Sequence, residues 1–153
     1  MKVKEVMTSR PVTVKPTDTL GKVVNIMTDM DISGCPVTRG DKIVGIVTQS
    51  DVMRTLNVYN KINKRASLPF IFSMIKSKGT KEELGELLKT KVKTFMNEKT
   101  IHIDAEEDIY KAAALMHKHK IDRLPAVKGK KLVGIISKKD IVKFLSDTES
   151  DSQ

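Results

Sequence analysis

The heptapeptide Gly45-Ile46-Val47-Thr48-Gln49-Ser50-Asp51 returns as Gly134-Ile135-Ile136-Ser137-Lys138-Lys139-Asp140. Each reads glycine, two apolar residues, a hydroxyl, two polar residues and an aspartate. Working outward, Val3–Leu56 and Val92–Leu145 align without a gap at a constant offset of 89, with 14 identities in 54 pairs. A duplicated unit of this size ordinarily buries its apolar face against its own copy, and the pairing creates two related clefts. At 54 residues each copy is close to the smallest chain that builds an independent core. The two copies are therefore expected to share one core across residues 1–56 and 92–145.

The apolar periodicity makes each copy β–α–β–β–α, an α+β arrangement. A short first strand is expected at Pro11–Val14 and at Thr100–Ile103. Leu20, Val23, Val24 and Met27 recur at i, i+3, i+4 and i+7, as do Ile109, Ala112, Ala113 and Met116, which predicts an amphipathic helix in each copy. Thr17-Asp18 and Glu106-Glu107-Asp108 supply caps and negative charge at the helix starts. A hairpin follows: Cys35–Thr38 turns through Arg39-Gly40-Asp41 into Lys42–Val47, and Leu124–Val127 turns through Lys128-Gly129-Lys130 into Lys131–Ile136. A closing helix begins near Ser50 and near Lys139.

The 57–91 connection is long, with a basic and apolar composition. Leu68–Ile75 is apolar, and Thr80-Lys81-Glu82-Glu83 reads as a capping box ahead of Leu84, Leu87 and Leu88, so the link is expected to be helical. The polar, acidic 146–153 tail is expected to be disordered. The 39% hydrophobic and 31% charged content describes a soluble globular chain, and no apolar run approaches the roughly 20 residues that cross a bilayer. The start, MKVKEVMTS, lacks a signal-peptide core. The single Cys35 excludes an internal disulfide and suits a reducing cytoplasm. The net charge of +9 favours anionic partners such as nucleotides, nucleic acid or acidic surfaces.

The Gly-apolar-apolar-[Ser/Thr]-x-x-Asp segment is the main candidate for chemistry. Thr48 and Ser137 fall at the strand-to-helix turn, and Asp51 and Asp140 in the first turn of the helix. A carboxylate and a hydroxyl at this spacing can grip a vicinal diol such as ribose, beside a helix N-terminus that attracts phosphate. The same spacing is also a plain capping box. His117 and His119 are two residues apart on a helix and do not face one another, so no metal site is expected. His102 alternates with Ile101 and Ile103, which fits the outer face of a strand. No nucleophile–base set, paired catalytic carboxylates or phosphate-cradling glycine loop emerges, which argues against an enzyme.

The order of VKEVMTSRPVTV, DISGCPV, IDRLPAV, GIVTQSD and GIISKKD, and their duplication, resembles the CBS-domain pair (cystathionine β-synthase domain, or Bateman module). The resemblance covers Val3–Leu56 and Val92–Leu145. It implies two β-α-β-β-α repeats packed through their sheets with pseudo-two-fold symmetry, and two clefts that hold AMP, ADP, ATP or S-adenosylmethionine. Transferred by position, one cleft takes Ser137 and Asp140 with Pro11, Val12, Ile32, Ser33, Gly34 and Pro36. The other takes Thr48 and Asp51 with Thr100, Ile101, Ile121, Asp122, Arg123 and Pro125. Arg123 occupies a position where nucleotide-sensing members of the family carry a phosphate-contacting arginine, and its planar fork suits a phosphate. The first copy has Gly34 there, so the two sites differ. Lys138 and Lys139 add charge beside the second aspartate.

The resemblance thus implies a non-catalytic, regulatory, energy-sensing module with an adenine nucleotide as its regulatory ligand, a homodimer and a separate target protein. Leu68–Ile75 offers a contact for the dimer, a cover for a cleft, or a dock for the target. An alternative is nucleic-acid binding through the basic link, using Lys61, Lys64, Arg65, Lys76 and Lys78 with Tyr59, Phe70 and Phe72 as stacking surface.

Overall fold

The computed structural model describes Met1–Arg65 and Lys81–Ser152, with the side chains of residues 58–65 left aside. Leu68–Ile75, Thr80, Lys76 and Lys78, singled out above, lie outside the described residues.

The elements in chain order are α1 (Val3–Val6), β1 (Thr8–Ser9), α2 (Leu20–Asp29), β2 (Gly34–Arg39), β3 (Lys42–Thr48) and α3 (Gln49–Arg65). They continue with α4 (Lys81–Leu88), α5 (Val92–Phe95), β4 (Ile103–Asp104), α6 (Ile109–His119), β5 (Arg123–Lys128), β6 (Lys131–Ser137) and α7 (Lys138–Asp151). The α+β class and the duplicated plan are both present, with helices flanking mixed parallel and antiparallel pairing.

The chain divides into two compact units that do not follow the linear order of the copies. One comprises Met1–Thr13, Thr38–Val44 and Lys99–Gln153, and the other Val14–Val37 and Gly45–Glu98. The opening segment of each copy therefore joins the unit built mainly from the other copy. The hydrogen bonds that hold these segments repeat at the same offset. Val3 N–H donates to Glu107 O at 2.8 Å and Lys4 N–H to Ala105 O at 2.9 Å; Val92 N–H donates to Asp18 O at 2.8 Å and Lys93 N–H to Pro16 O at 3.0 Å. After each short helix the chain pairs with a hairpin strand: Thr8 with Ile135 in one unit, Asn97 with Ile46 in the other.

Glycines explain how the exchange packs. A Cβ on Gly134 would collide with Met7 Sδ, and a Cβ on Gly45 would lie 3.0 Å from Met96 Sδ and 3.1 Å from Asn97 O. Met7 and Met96 are equivalent positions, so the repeated glycine leaves room for the repeated methionine. Around them the second-copy unit buries Val3, Ile103, Ile109, Ala112, Met116, Leu124, Ala126 and Ile136. In the first-copy unit Leu20, Val23, Val37, Val47 and Val92 are fully buried.

The first strands are shorter than predicted. In the second copy, only Ile103–Asp104 pairs, parallel to Ala126 and Val127, and Ala105 N–H extends the contact to Val127 O at 2.9 Å. In the first copy, the expected Pro11–Val14 strand shrinks to a single bridge between Val14 and Val37. Pro16 stands at Ala105's position and has no N–H to continue the ladder. The cap of α2 is also displaced. Thr19 Oγ1 accepts from Lys22 N–H at 3.2 Å, while Asp18 accepts from Lys15 N–H at 2.7 Å and Lys22 Nζ at 3.1 Å. Asp108 caps α6 by accepting from Tyr110 N–H at 2.8 Å.

The tail differs from expectation as well. Ser146–Asp151 continues α7 as helix rather than a disordered acidic end. Its hydroxyls fold back on the preceding turn: Thr148 Oγ1 donates to Phe144 O at 2.9 Å and Ser150 Oγ to Ser146 O at 3.1 Å. Among the described residues, no helix is long and apolar enough to cross a membrane.

Candidate functional site

Both [Ser/Thr]-x-x-Asp turns are formed, and they differ in one decisive respect. In the second copy, Ser137 ends β6 and caps α7. Asp140 Oδ2 accepts from Ser137 N–H and from Ser137 Oγ, each at 2.8 Å, and Asp140 N–H donates to Ser137 Oγ at 3.2 Å. Those bonds complete a reciprocal capping box. They leave Oδ1 of Asp140 with no hydrogen-bond partner among the described residues, on a half-buried side chain.

In the first copy, Asp51 Oδ2 likewise accepts from Thr48 N–H at 2.8 Å and Thr48 Oγ1 at 3.1 Å. Its Oδ1, however, is taken by Arg54 Nη2 at 2.7 Å, and the same guanidinium nitrogen donates to Phe95 O at 3.2 Å. Asp51 is only 5% exposed. This carboxylate is therefore occupied on both oxygens by its own unit. The equivalent of Arg54 in the second copy is Lys143, whose exposed ammonium takes no part in the Asp140 box.

Arg123 opens β5 and is the cross-strand partner of Ser137. Directly paired residues project to the same face of a sheet, so Arg123 and Ser137 share one face. Asp122, exposed next to it, is engaged by Lys138: the side chains pair at 3.1 Å, and Lys138 N–H donates to Asp122 O at 2.9 Å. The backbone bond is duplicated in the first copy as Gln49 N–H to Ser33 O, also at 2.9 Å. Lys139 is exposed in the first turn of α7, among the unpaired N–H groups that favour an anion.

The remaining predicted residues divide between the units. Pro11, Val12, Thr100, Ile101, Ile121, Asp122, Arg123 and Pro125 belong to the unit that holds Ser137, Lys138, Lys139 and Asp140. Ile32, Ser33, Gly34 and Pro36 belong to the other, with Thr48 and Asp51. Pro11, Val12, Thr100, Ile101, Ile32, Ser33 and Ile121 are half-buried. Pro36 and Pro125 are fully buried, and the Pro36 carbonyl accepts from Val14 N–H at 3.1 Å, so these two prolines serve packing.

Arg54 escaped the sequence reading. It stands three residues after Asp51, a spacing at which helical side chains meet, and that was its available signal. The Met7–Gly134 and Met96–Gly45 contacts were equally hidden, because nothing local in the sequence ties residues so far apart.

The chain is thus a duplicated α+β unit with a hydroxyl–carboxylate turn at each strand-to-helix junction. The CBS domain family matches residues 3–58 and 92–147, and the chain belongs to that family. An uncharacterized protein of Methanocaldococcus jannaschii, MJ1426, is 32% identical over 105 residues, covering 63% of this chain. The chain spans 13% and 62% of the lengths of the first curated relatives it matches. Among solved structures, the CBS domain pair of MJ0100 in complex with 5′-methylthioadenosine and S-adenosyl-L-methionine superposes with TM-score 0.72 at 19% identity, covering 97% of this chain and 98% of that one. CBSX2 in complex with AMP superposes with TM-score 0.73 at 20% identity, covering 97% and 98%. At these identities the likeness establishes the fold.

Proposed function

We propose that this chain is a non-catalytic regulatory module that binds an adenosine-containing ligand, AMP, ADP, ATP or S-adenosylmethionine, at the Ser137–Asp140 turn. The observation that carries the reading is the Oδ1 of Asp140, which has no hydrogen-bond partner among the described residues. Its second oxygen is anchored by Ser137, so the carboxylate is already oriented and has acceptor capacity to spare for a ribose diol. Arg123 supplies the bidentate cation for a phosphate, and Lys138 and Lys139 add positive charge at the start of α7. Pro11, Val12, Thr100 and Ile101 offer apolar surface within the same unit for a purine. The AMP and S-adenosylmethionine bound to proteins of the same fold support this ligand class. Energy sensing, a cytoplasmic setting, a homodimer and a separate target protein belong to the same reading. An association surface is supported by exposed apolar side chains at equivalent positions, Met53 and Leu56 on α3 and Val142 and Leu145 on α7.

The two turns are not equivalent in this reading. Arg54 closes Asp51, and Gly34 stands where Arg123 does, so the first-copy turn serves structure. A thermal-shift panel of AMP, ADP, ATP, S-adenosylmethionine, adenosine and GTP tests the proposal. A ligand that binds only the folded state at a hundredfold excess over its Kd stabilises by about 2.7 kcal/mol. A rise with adenosine compounds and none with GTP is expected; a flat panel would refute the ligand class.

A further inference from the structure

The hairpin tips carry a feature that nucleotide binding does not use. Lys42 on β3 is the register partner of Lys131 on β6, and Lys131 is in turn the partner of Lys128 on β5. Arg39 and Lys42 flank the two-residue Gly40–Asp41 turn between β2 and β3, so they face one another across that hairpin. Arg39, Lys42, Lys131 and Lys128 thus form one row across four neighbouring strands, within the unit that contains Thr38–Val44 and Lys99–Gln153. Residues in direct register project to the same face. All four are exposed, and none has an ion pair or hydrogen bond to a side chain among the described residues. Like charges set directly opposite destabilise a sheet, and here three lysines stand in succession.

We propose that this row is a docking strip for the phosphate backbone of a nucleic acid strand. Strands are about 4.8 Å apart, so the row extends about 14 Å. A nucleic acid strand carries one negative charge at every nucleotide, so a row of this length meets several phosphates in succession. Lys130, in the adjoining turn, adds a fifth cation against the lone carboxylate of Asp41. Large exposed apolar side chains are absent from both hairpin tips, and a lipid surface would call for such residues to insert beside the charges. Neither tip has an aromatic ring to stack on bases, so binding through this strip is indifferent to sequence.

The test is fluorescence anisotropy of the full chain with short mixed-sequence single-stranded RNA and DNA across a salt series. The triple variant Lys42→Ala/Lys128→Ala/Lys131→Ala is compared with Lys118→Ala/Lys120→Ala, which removes the same kind of charge from the end of α6. Wild type is expected to bind both strands, with affinity falling steeply as salt rises. The triple variant should lower the slope of log affinity against log salt by about two, at roughly 0.7 per lost contact. The control pair should leave that slope unchanged, and the triple variant, relieved of like-charge repulsion, should melt at or above the wild-type temperature. No binding at the lowest salt, or a triple variant with unchanged affinity and slope, overturns the proposal. Binding to phosphatidylserine vesicles through these lysines, with none to RNA or DNA, would replace the nucleic acid with a lipid surface.

Discussion

At the residue scale, two aspartates that look alike in sequence have different partners. Asp51 accepts bonds from Thr48 on one oxygen and from Arg54 on the other, and it is nearly buried. Its removal strands the Thr48 N–H and leaves Arg54 with only the Phe95 carbonyl. Asp51→Ala is expected to lower stability by about 1–3 kcal/mol, the cost of an unmade buried hydrogen bond, and to leave nucleotide affinity intact. Asp140→Ala should behave the other way. Losing the box costs about 1 kcal/mol of folding stability, whereas losing a charged acceptor for the ribose weakens binding about 10- to 100-fold. Urea melts and binding titrations of both variants read the contrast directly. Equal effects of the two substitutions on affinity would refute it. The hydroxyl–carboxylate spacing was legible in the sequence for both copies. Their inequivalence was legible only in part: Gly34 against Arg123 showed it, while Arg54's bond to Phe95 O depends on a contact formed by folding.

At the element scale, the exchanged opening segments dominate. The helices α2 and α6 were readable because their apolar spacing is local, as were the hairpins with their glycine turns. The short helices α1 and α5 were not: each is a single turn held by backbone bonds to a segment roughly a hundred or fewer residues away, outside any local window. Gly134→Ala tests how tightly the exchange packs. The new methyl meets Met7, and over-packing of this kind costs about 1–3 kcal/mol. Because the obstruction is a flexible side chain, adding Met7→Ala should recover part of the loss; a fully additive double variant would disprove the contact. Both α2 and α6 end in a left-handed residue, Asp31 at φ 50° and Lys120 at φ 53°. Ile32 N–H and Ile121 N–H close the turn on Met27 O and Met116 O, each at 3.0 Å. A lysine pays for that geometry and glycine does not, so Lys120→Gly should raise stability by about 1 kcal/mol in urea denaturation.

The attachment of α1 is also sensitive to pH. Hydrogen bonds from Lys2 and Lys4 hold the Glu106 carboxyl down at about 2, below its ordinary 4.5. A carboxylate whose pKa is lower in the folded state adds stability that is complete above 4.5 and is lost as the pH falls from there toward 2. The protection factors of the Val3 and Lys4 amides, their exchange relative to the unfolded-chain rate at each pH, should therefore fall over that interval, and Glu106→Gln should remove the fall. The same fall in the variant would assign it to other groups.

At the scale of the whole molecule, duplication sets the plan and divergence distinguishes the two turns. The copies keep the glycine, the methionine that packs on it, the buried proline and the capping aspartate. They differ in Arg123, Lys138 and Lys139, and in the Arg54 that closes the first turn. On the proposed reading one kept turn is structural, while the other keeps a carboxylate oxygen open among the described residues, so one nucleotide per chain is expected. A ligand alters activity elsewhere only through different affinity for two conformations, so the binding measurement comes before any search for a target. The most direct measurement is isothermal titration of the full chain with AMP, ATP and S-adenosylmethionine, repeated on Asp140→Ala and Asp51→Ala. At least one of them is expected to bind at one site per chain, Asp140→Ala to lose most of this affinity, and folded Asp51→Ala to keep it. Unchanged binding in Asp140→Ala, or binding that depends on Asp51 instead, would contradict it.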